Sequence, residues 1–297
     1  APNDAATAAP IQVFGNAVAV STTKIVSIAT SGAGIVNGGG DLNAGKVVTL
    51  TVNLNAAVTV NTSGGTPTLA LNDGGTANYS GGSGSGALSF SYTVAAGRNT
   101  ADLIVSSLNL NGATITDGNG NAANLSGATN YNPAGTLQID TTAPTIAIST
   151  IAGDNILNAT EASQGFAIRG TTTGVENGRT VTVNILNSAN AIVNSYAATD
   201  SNNAWSVAVT RAQATALTDG NYTVSANISD AAGNPAQAAA RALTVDQDRV
   251  PEVPALAISN TSLTVQAGGS VALGITATPV DSDDRLSLTI SGLPSYE

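Results

Sequence analysis

The sequence predicts an all-β chain of tandem antiparallel β-sandwiches. Short runs of β-branched and apolar residues recur along it, separated by turns rich in Gly, Asn, Asp and Pro. Nowhere do apolar residues recur at helical spacing for three turns. Hydrophobic residues make up 42% of the chain but aromatic residues only 3%, so the cores must be built from Val, Ile, Leu and Ala. Together these observations favour short, packed strands over helical layers.

The first sandwich is predicted over residues 24–140, behind an N-terminal tail or linker strand at 1–23. Its clearest strand is 46–55, in which four apolar residues from Val48 to Leu54 alternate with polar ones. That period of two is typical of a half-buried strand in an antiparallel sheet. The other strands of this sandwich are predicted at 24–30, 67–71, 87–94, 103–108, 113–116 and 135–140.

A second sandwich is predicted over residues 141–247. Its strands are expected at 145–150, 165–170, 180–186, 192–197, 204–210, 221–229 and 239–245. Seven short strands in about 100 residues are the number expected of an immunoglobulin-like sandwich. The one helical segment predicted in the chain is 211–217. Trp205 lies in the middle of a strand, which favours a core position over a ligand platform.

Residues 248–297 are predicted to form a charged, proline-bearing linker and then an incomplete third β-domain. Strands are expected near 256–259, 262–266, 270–277 and 286–291. About fifty residues are too few for a complete sandwich, so the chain is predicted to be a fragment of something longer.

Composition excludes several functional classes. The net charge is −10 with few Lys and Arg, so nucleic acid is not an expected partner, whereas divalent cations are attracted. Cys and His are absent, which removes disulfides, thiolate and imidazole metal sites and the commonest general base. No apolar run approaches the roughly 20 residues of a membrane span. The chain is therefore not expected to be an enzyme or to span a membrane.

The junction between the two sandwiches carries a cluster of oxygen-bearing side chains. Asp140 ends the first sandwich, and Pro144 prevents a helix from crossing the join. Asp154, Asn155 and Glu161 follow within a short loop. Carboxylate and amide oxygens suit hard cations, and calcium is the first candidate.

An internal repeat marks the far end of each sandwich. Residues 113–121 read ATITDGNGN and residues 226–234 read ANISDAAGN, so both fit Ala-x-Ile-(Thr/Ser)-Asp-x-x-Gly-Asn. Each is followed by a strand that ends in aspartate, at Asp140 and Asp246. One interpretation is a plain turn, because Asp, Asn and Gly are common turn formers. The other is a calcium loop that converges with the terminal aspartate.

Residues 141–247 resemble the bacterial Ig-like repeats of large RTX-type surface adhesins exported by type I secretion. The motifs are DTTAPTIAI, AGDNILNATEA, VENGRTVTVNI and LTDGNYTVSANISDAAGN. Residues 24–140 resemble a related repeat, through TLALNDGGTANYSGGSGSGALSFSYTV and ATITDGNGN, and residues 246–297 are similar to another module of such proteins. The glycine-aspartate nonapeptide of the RTX secretion region is missing from the sequence, so this export route rests on analogy.

The resemblance implies calcium within and between repeats, where it stiffens a stalk that projects an adhesive tip. The candidate calcium ligands from the motifs and from the other acidic positions are Asp41, Asp117, Asn119, Asn121, Asp140, Asp154, Asn155, Glu161, Asp230, Asn234, Asp246, Asp281, Asp283 and Asp284.

The predicted function is a non-catalytic, calcium-stiffened extender of a bacterial cell-surface adhesin that supports adhesion or biofilm formation. Its expected partners are neighbouring repeats of the same chain, with any surface polysaccharide or host ligand bound by domains outside it. One alternative is an accessory carbohydrate-binding domain of a secreted enzyme, with Tyr92, Tyr131, Tyr196 or Trp205 as the sugar platform. Another is a filament subunit in which residues 11–20 complete a neighbouring chain by strand addition.

Overall fold

The computed structural model describes residues 21–247, 255–259, 264, 268–270, 272 and 274–278. The predicted strand at 11–20 and the acidic residues Asp281, Asp283 and Asp284 lie outside the described residues. The chain divides into two compact units. The first contains the residues up to Thr145 together with Thr172–Thr180 and Asn227–Gln237, and the second contains Ile146–Thr171, Val181–Ala226 and the residues from Ala238 onward.

The first unit is built on one large antiparallel sheet and a short parallel pair. Its strands are β1 (Ile25–Ser31), β2 (Gly40–Leu42), β3 (Val47–Asn61), β4 (Thr68–Leu71), β5 (Thr76–Gly81), β6 (Ser85–Thr93), β7 (Val105–Asn109), β8 (Thr114–Asp117) and β9 (Leu137–Ile139). The sheet runs in the order β1-β3-β6-β5-β4-β7, and β8 also pairs with β3. The strands β2 and β9 pair in parallel.

The long strand β3 carries the core of the first unit. Val48, Leu50 and Val52 are completely buried, as the alternation predicts, and they lie opposite Tyr92, Phe90 and Leu88 on β6. The polar residues between them are only half-buried. Because aromatic residues are scarce, aliphatic side chains supply most of this core.

The next eight strands follow along the chain. They are β10 (Thr145–Ile148), β11 (Ile156–Asn158), β12 (Phe166–Thr173), β13 (Thr180–Leu186), β14 (Ile192–Thr199), β15 (Ala204–Val209), β16 (Gly220–Asn227) and β17 (Ala239–Asp246). They form a three-stranded sheet, β10-β12-β15, and a five-stranded sheet, β11-β17-β16-β13-β14. Trp205 is only 3% exposed, which confirms its predicted core position. The predicted all-β fold class is confirmed.

Two short helices interrupt the second set of strands. The predicted segment 211–217 contains α2 (Arg211–Ala214), whereas α1 (Ala159–Gln164) was not predicted. The prediction of a single helical segment is therefore wrong. The side chains of Asn158 and Glu161 cap α1 reciprocally, and such a capping box stabilises even a six-residue helix. A 3₁₀ turn at Ser126–Ala128 was also not predicted.

Beyond residue 247 the structure describes one antiparallel pair, β18 (Ala255–Ile258) with β19 (Ile275–Thr278). Both coincide with strands expected from the sequence. In the described part of the chain, no helix is long and apolar enough to cross a membrane.

Candidate metal centre in the first unit

The parallel pair β2–β9 places two candidate ligands two residues apart in register. Asp41 pairs in register with Gln138, and the Asp140 N–H donates to the Leu42 carbonyl at 3.0 Å. The glycines before Asp41 permit this arrangement, because a Cβ on Gly40 would lie 2.3 Å from the Gly34 carbonyl oxygen. The backbone alone therefore brings Asp41 close to Asp140.

The turn from Asp230 to Asn234 belongs to the same unit and joins this pair. Asp230 Oδ1 accepts from the Gly233 and Asn234 amides at 2.8 and 2.7 Å. Asn234 Nδ2 donates to Asp230 Oδ2 and to the Asp140 carbonyl, both at 2.9 Å. Asp230 is 0% exposed and Asn234 is 7% exposed. Asn234 thus ties the turn to the end of the first predicted sandwich.

Glu176 joins the same turn and was not among the sequence candidates. Its Oε2 accepts from the Ala231 amide at 2.7 Å. Arg179 lies on the other side, where its Nε donates to the Ser229 carbonyl at 3.0 Å. The sequence signal for Glu176 is that it is the acidic residue of the motif VENGRTVTVNI, which carries the family resemblance.

The electrostatics of Asp41 show how these acidic groups interact. Burial raises the pKa of Asp41, and the nearby carboxylates of Asp140, Glu176 and Asp230 raise it further. Asp41 Oδ1 is buried and has no hydrogen-bond partner among the described residues. A buried oxygen beside like charges is destabilising unless a proton or a cation balances it. These four residues are called the carboxylate cluster below.

The carboxylate cluster fits the donor chemistry of calcium, which takes carboxylate, amide and carbonyl oxygens. Within the described residues, however, no three acidic side chains are already arranged so that they could hold a metal ion.

The repeated sequence motif forms the same turn twice but in different surroundings. Asp117 Oδ1 accepts from the Asn119 and Asn121 amides, both at 2.9 Å, as Asp230 accepts from the equivalent region. The backbone also matches, because the Asp117 and Asp230 amides donate to the Asn121 and Asn234 carbonyls. The pKa of Asp117 is lowered, chiefly by its hydrogen bond from the Asn121 amide, and the Ser21 hydroxyl contributes. Hydrogen bonds, and not carboxylates, dominate its surroundings.

The remaining candidates stabilise local structure in the second unit. Asp154 Oδ1 accepts from the Ile156 amide at 2.8 Å, and Asn155 Oδ1 accepts from the Ile151 amide at 3.1 Å. Glu161 caps α1, and Asp246 lies opposite Asn158 in the parallel pair β11–β17. These residues do not join the carboxylate cluster.

Two of the four aromatic residues suggested as a sugar platform are buried. Tyr92 and Trp205 are each 3% exposed, and the Tyr92 hydroxyl donates to Asp73. Burial and this hydrogen bond raise the pKa of Tyr92. Tyr131 and Tyr196 are half-buried. Neither Tyr92 nor Trp205 can therefore offer an open ring face to a sugar.

Comparison with known proteins supports the identification of the second predicted sandwich. Residues 149–247 match the family model of the bacterial Ig-like domain. No curated protein matches the chain significantly. The family match covers most of the region in which the sequence motifs predicted such a repeat.

The chain is also similar to parts of several solved structures. A Ca²⁺-stabilised adhesin that helps an Antarctic bacterium bind ice is 24% identical over 79% of this chain and 53% of its own, with a TM-score of 0.39. A bacterial immunoglobulin-like domain of the M. primoryensis ice-binding adhesin is 34% identical over 35% of this chain and 99% of its own, with a TM-score of 0.27. Fibronectin(III)-like modules of Clostridium thermocellum CbhA are 12% identical over 75% of this chain and 97% of their own, with a TM-score of 0.34.

The chain thus spans about half the length of the Antarctic adhesin structure. None of these three superpositions reaches a TM-score of 0.5, so the family assignment rests on the match over residues 149–247.

Proposed function

Residues 149–247 belong to the bacterial Ig-like domain family, and from that premise we propose that the chain is a non-catalytic, calcium-stiffened extender of a large bacterial cell-surface adhesin. Its role is to supply length and stiffness outside the cell, in support of adhesion or biofilm formation. Its partners are the neighbouring repeats of the same polypeptide. The target of adhesion is bound by other parts of the parent protein.

The observation that carries this proposal is the carboxylate cluster of Asp41, Asp140, Glu176 and Asp230. Its members lie at four positions far apart in sequence, and burial together with the charges of the other three raises the pKa of Asp41. A bound calcium ion offsets these negative charges and links the four positions. Binding therefore stiffens the chain at the end of the first predicted sandwich.

Calcium titration of the metal-free chain by calorimetry tests the site. Glu176→Gln and Asp41→Asn each remove one charge from the cluster, so we expect the Kd to rise by roughly tenfold or more. Asp154→Asn is the matched control, because it removes one charge from an exposed turn in the second unit. We expect its Kd to equal that of the wild type.

The same titration can contradict the proposal in two ways. Absence of a binding heat in the wild type removes the calcium component. A loss of affinity in Asp154→Asn, with none in Glu176→Gln, places the ion in the loop from Asp154 to Glu161 instead.

A further inference from the structure

The linker after Asp140 is held by hydrogen bonds that involve no carboxylate. The Thr141 amide donates to Asn99 Oδ1 at 2.8 Å, and the Thr142 hydroxyl donates to the same oxygen at 3.3 Å. The Thr141 hydroxyl donates to the Arg98 carbonyl at 3.1 Å and accepts from the Gly97 amide at 2.9 Å. Residues 97–99 thus contact two consecutive linker residues through both backbone and side chain.

The loop that makes these bonds is itself anchored. Thr100 and Ile139 exchange two backbone hydrogen bonds of 2.9 Å, directly beside Asn99 and Asp140. Arg98 Nη1 donates to the Asp73 carbonyl at 3.1 Å. Further hydrogen bonds therefore hold both sides of this contact, which favours a single placement of Asn99 Oδ1.

The held linker also contacts the side chain of Asp140. The Thr142 amide donates to Asp140 Oδ1 at 2.8 Å, so the position of Thr142 turns one carboxylate oxygen toward the linker. The Asp140 amide and carbonyl are fixed separately, by Leu42 and Asn234.

We propose that Asn99 is a positioning residue that fixes the linker, and through it Asp140, before any cation binds. The linker contact needs no metal, since every donor and acceptor in it is neutral. The effect of this linker contact on cation binding rests on the proposed function. Asn99 is not a calcium ligand, and it affects calcium affinity by positioning Asp140.

Amide hydrogen exchange in chelator tests the metal-independent part. We expect the Thr141 amide of the wild type to be protected, and Asn99→Ala to lower that protection by about tenfold or more because the acceptor is lost. Asn99→Asp keeps an acceptor oxygen and restores the protection. The control is Asn132→Ala, which removes one exposed side-chain hydrogen bond to Asp102 in the same unit and should leave Thr141 unchanged.

Calcium titration of the same variants tests the positioning role. Asn99→Ala changes no charge, and we expect it to weaken calcium binding several-fold while Asn132→Ala does not. Thermal unfolding in chelator verifies that both variants are folded.

The outcomes separate the two proposals. An unprotected Thr141 amide in the wild type, or equal protection in Asn99→Ala, overturns the inference regardless of calcium. If the exchange pattern is as expected but the wild type binds no calcium, the linker contact is supported. The calcium component of the proposed function is then overturned. Altered exchange with unchanged calcium affinity overturns the positioning role.

Discussion

At the scale of single residues, burial decides what the repeated aspartates do. Asp117 and Asp230 form the same turn with the same backbone hydrogen bonds. Asp230 is fully buried and lies among other carboxylates, whereas hydrogen bonds dominate the surroundings of Asp117. Both motifs therefore form the turn, and of the two aspartates it is Asp230 whose charge acts on other carboxylates.

Asp41 provides the sharpest residue-scale prediction. Its raised pKa means that the folded state favours the neutral carboxyl, so the ionised form costs stability above that pKa. This destabilisation disappears as the pH falls through the pKa of the folded state toward 3.8, the ordinary pKa of an aspartate. In chelator at pH 7 we expect Asp41→Asn to raise the unfolding temperature slightly, by about 2–4 °C after allowance for solvent screening. This gain should vanish near pH 3.

We expect calcium to reverse the sign of this effect, because the variant lacks one of the proposed ligands. Thermal unfolding of wild type and Asp41→Asn, with and without calcium at both pH values, is the measurement. Asp154→Asn is again the control, and its change in unfolding temperature should be the same with and without calcium. A destabilised Asp41→Asn in chelator at pH 7 contradicts the view that Asp41 is strained by its neighbours.

At the scale of elements, the short parallel pair β2–β9 builds the candidate site. The sequence predicts no strand between residues 30 and 46, because the three residues of β2 are too few to show a period of two. The partner strand lies almost a hundred residues away, so no local pattern marks the pairing. What the sequence did contain was the run of three glycines before Asp41, which the close backbone packing requires.

Gly40→Ala tests this element. The new Cβ would overlap the Gly34 carbonyl, which is backbone and cannot move cheaply. We expect the free energy of unfolding of the first unit to fall by about 1–3 kcal/mol and calcium affinity to fall with it. Denaturant unfolding and calcium titration measure the two effects. Gly118→Ala is the control, because no atom lies within 4 Å of its Cβ, and a comparable loss there would refute the steric argument.

At the scale of the whole molecule, sequence order and compact units do not coincide. Two segments from the second predicted sandwich, Thr172–Thr180 and Asn227–Gln237, belong to the first unit. They bring Glu176 and Asp230 to the carboxylate cluster. A cation bound there acts on residues from both predicted sandwiches, which is the physical basis of the proposed stiffening.

Small-angle scattering tests the stiffening. We expect the calcium-loaded chain to fit one rigid arrangement and the chelated chain to require an ensemble, because repulsion among the carboxylates is no longer balanced. The scattering curve of Glu176→Gln should change less on addition of calcium than the curve of Asp154→Asn. Identical curves with and without calcium would disprove the stiffening even if an ion binds.

The sequence by itself determined the fold class, most strands, the core position of Trp205 and the family of the second sandwich. These follow from local signals: alternation in strands such as β3, turn residues between them, and motifs that match a known family. Tertiary structure decided which acidic residues meet. It joined Asp41, Asp140 and Asp230, added Glu176, and gave Asp154, Asn155 and Glu161 local structural roles. The physical reason is that convergence depends on pairings between distant strands and loops, whereas secondary structure depends on neighbours along the chain.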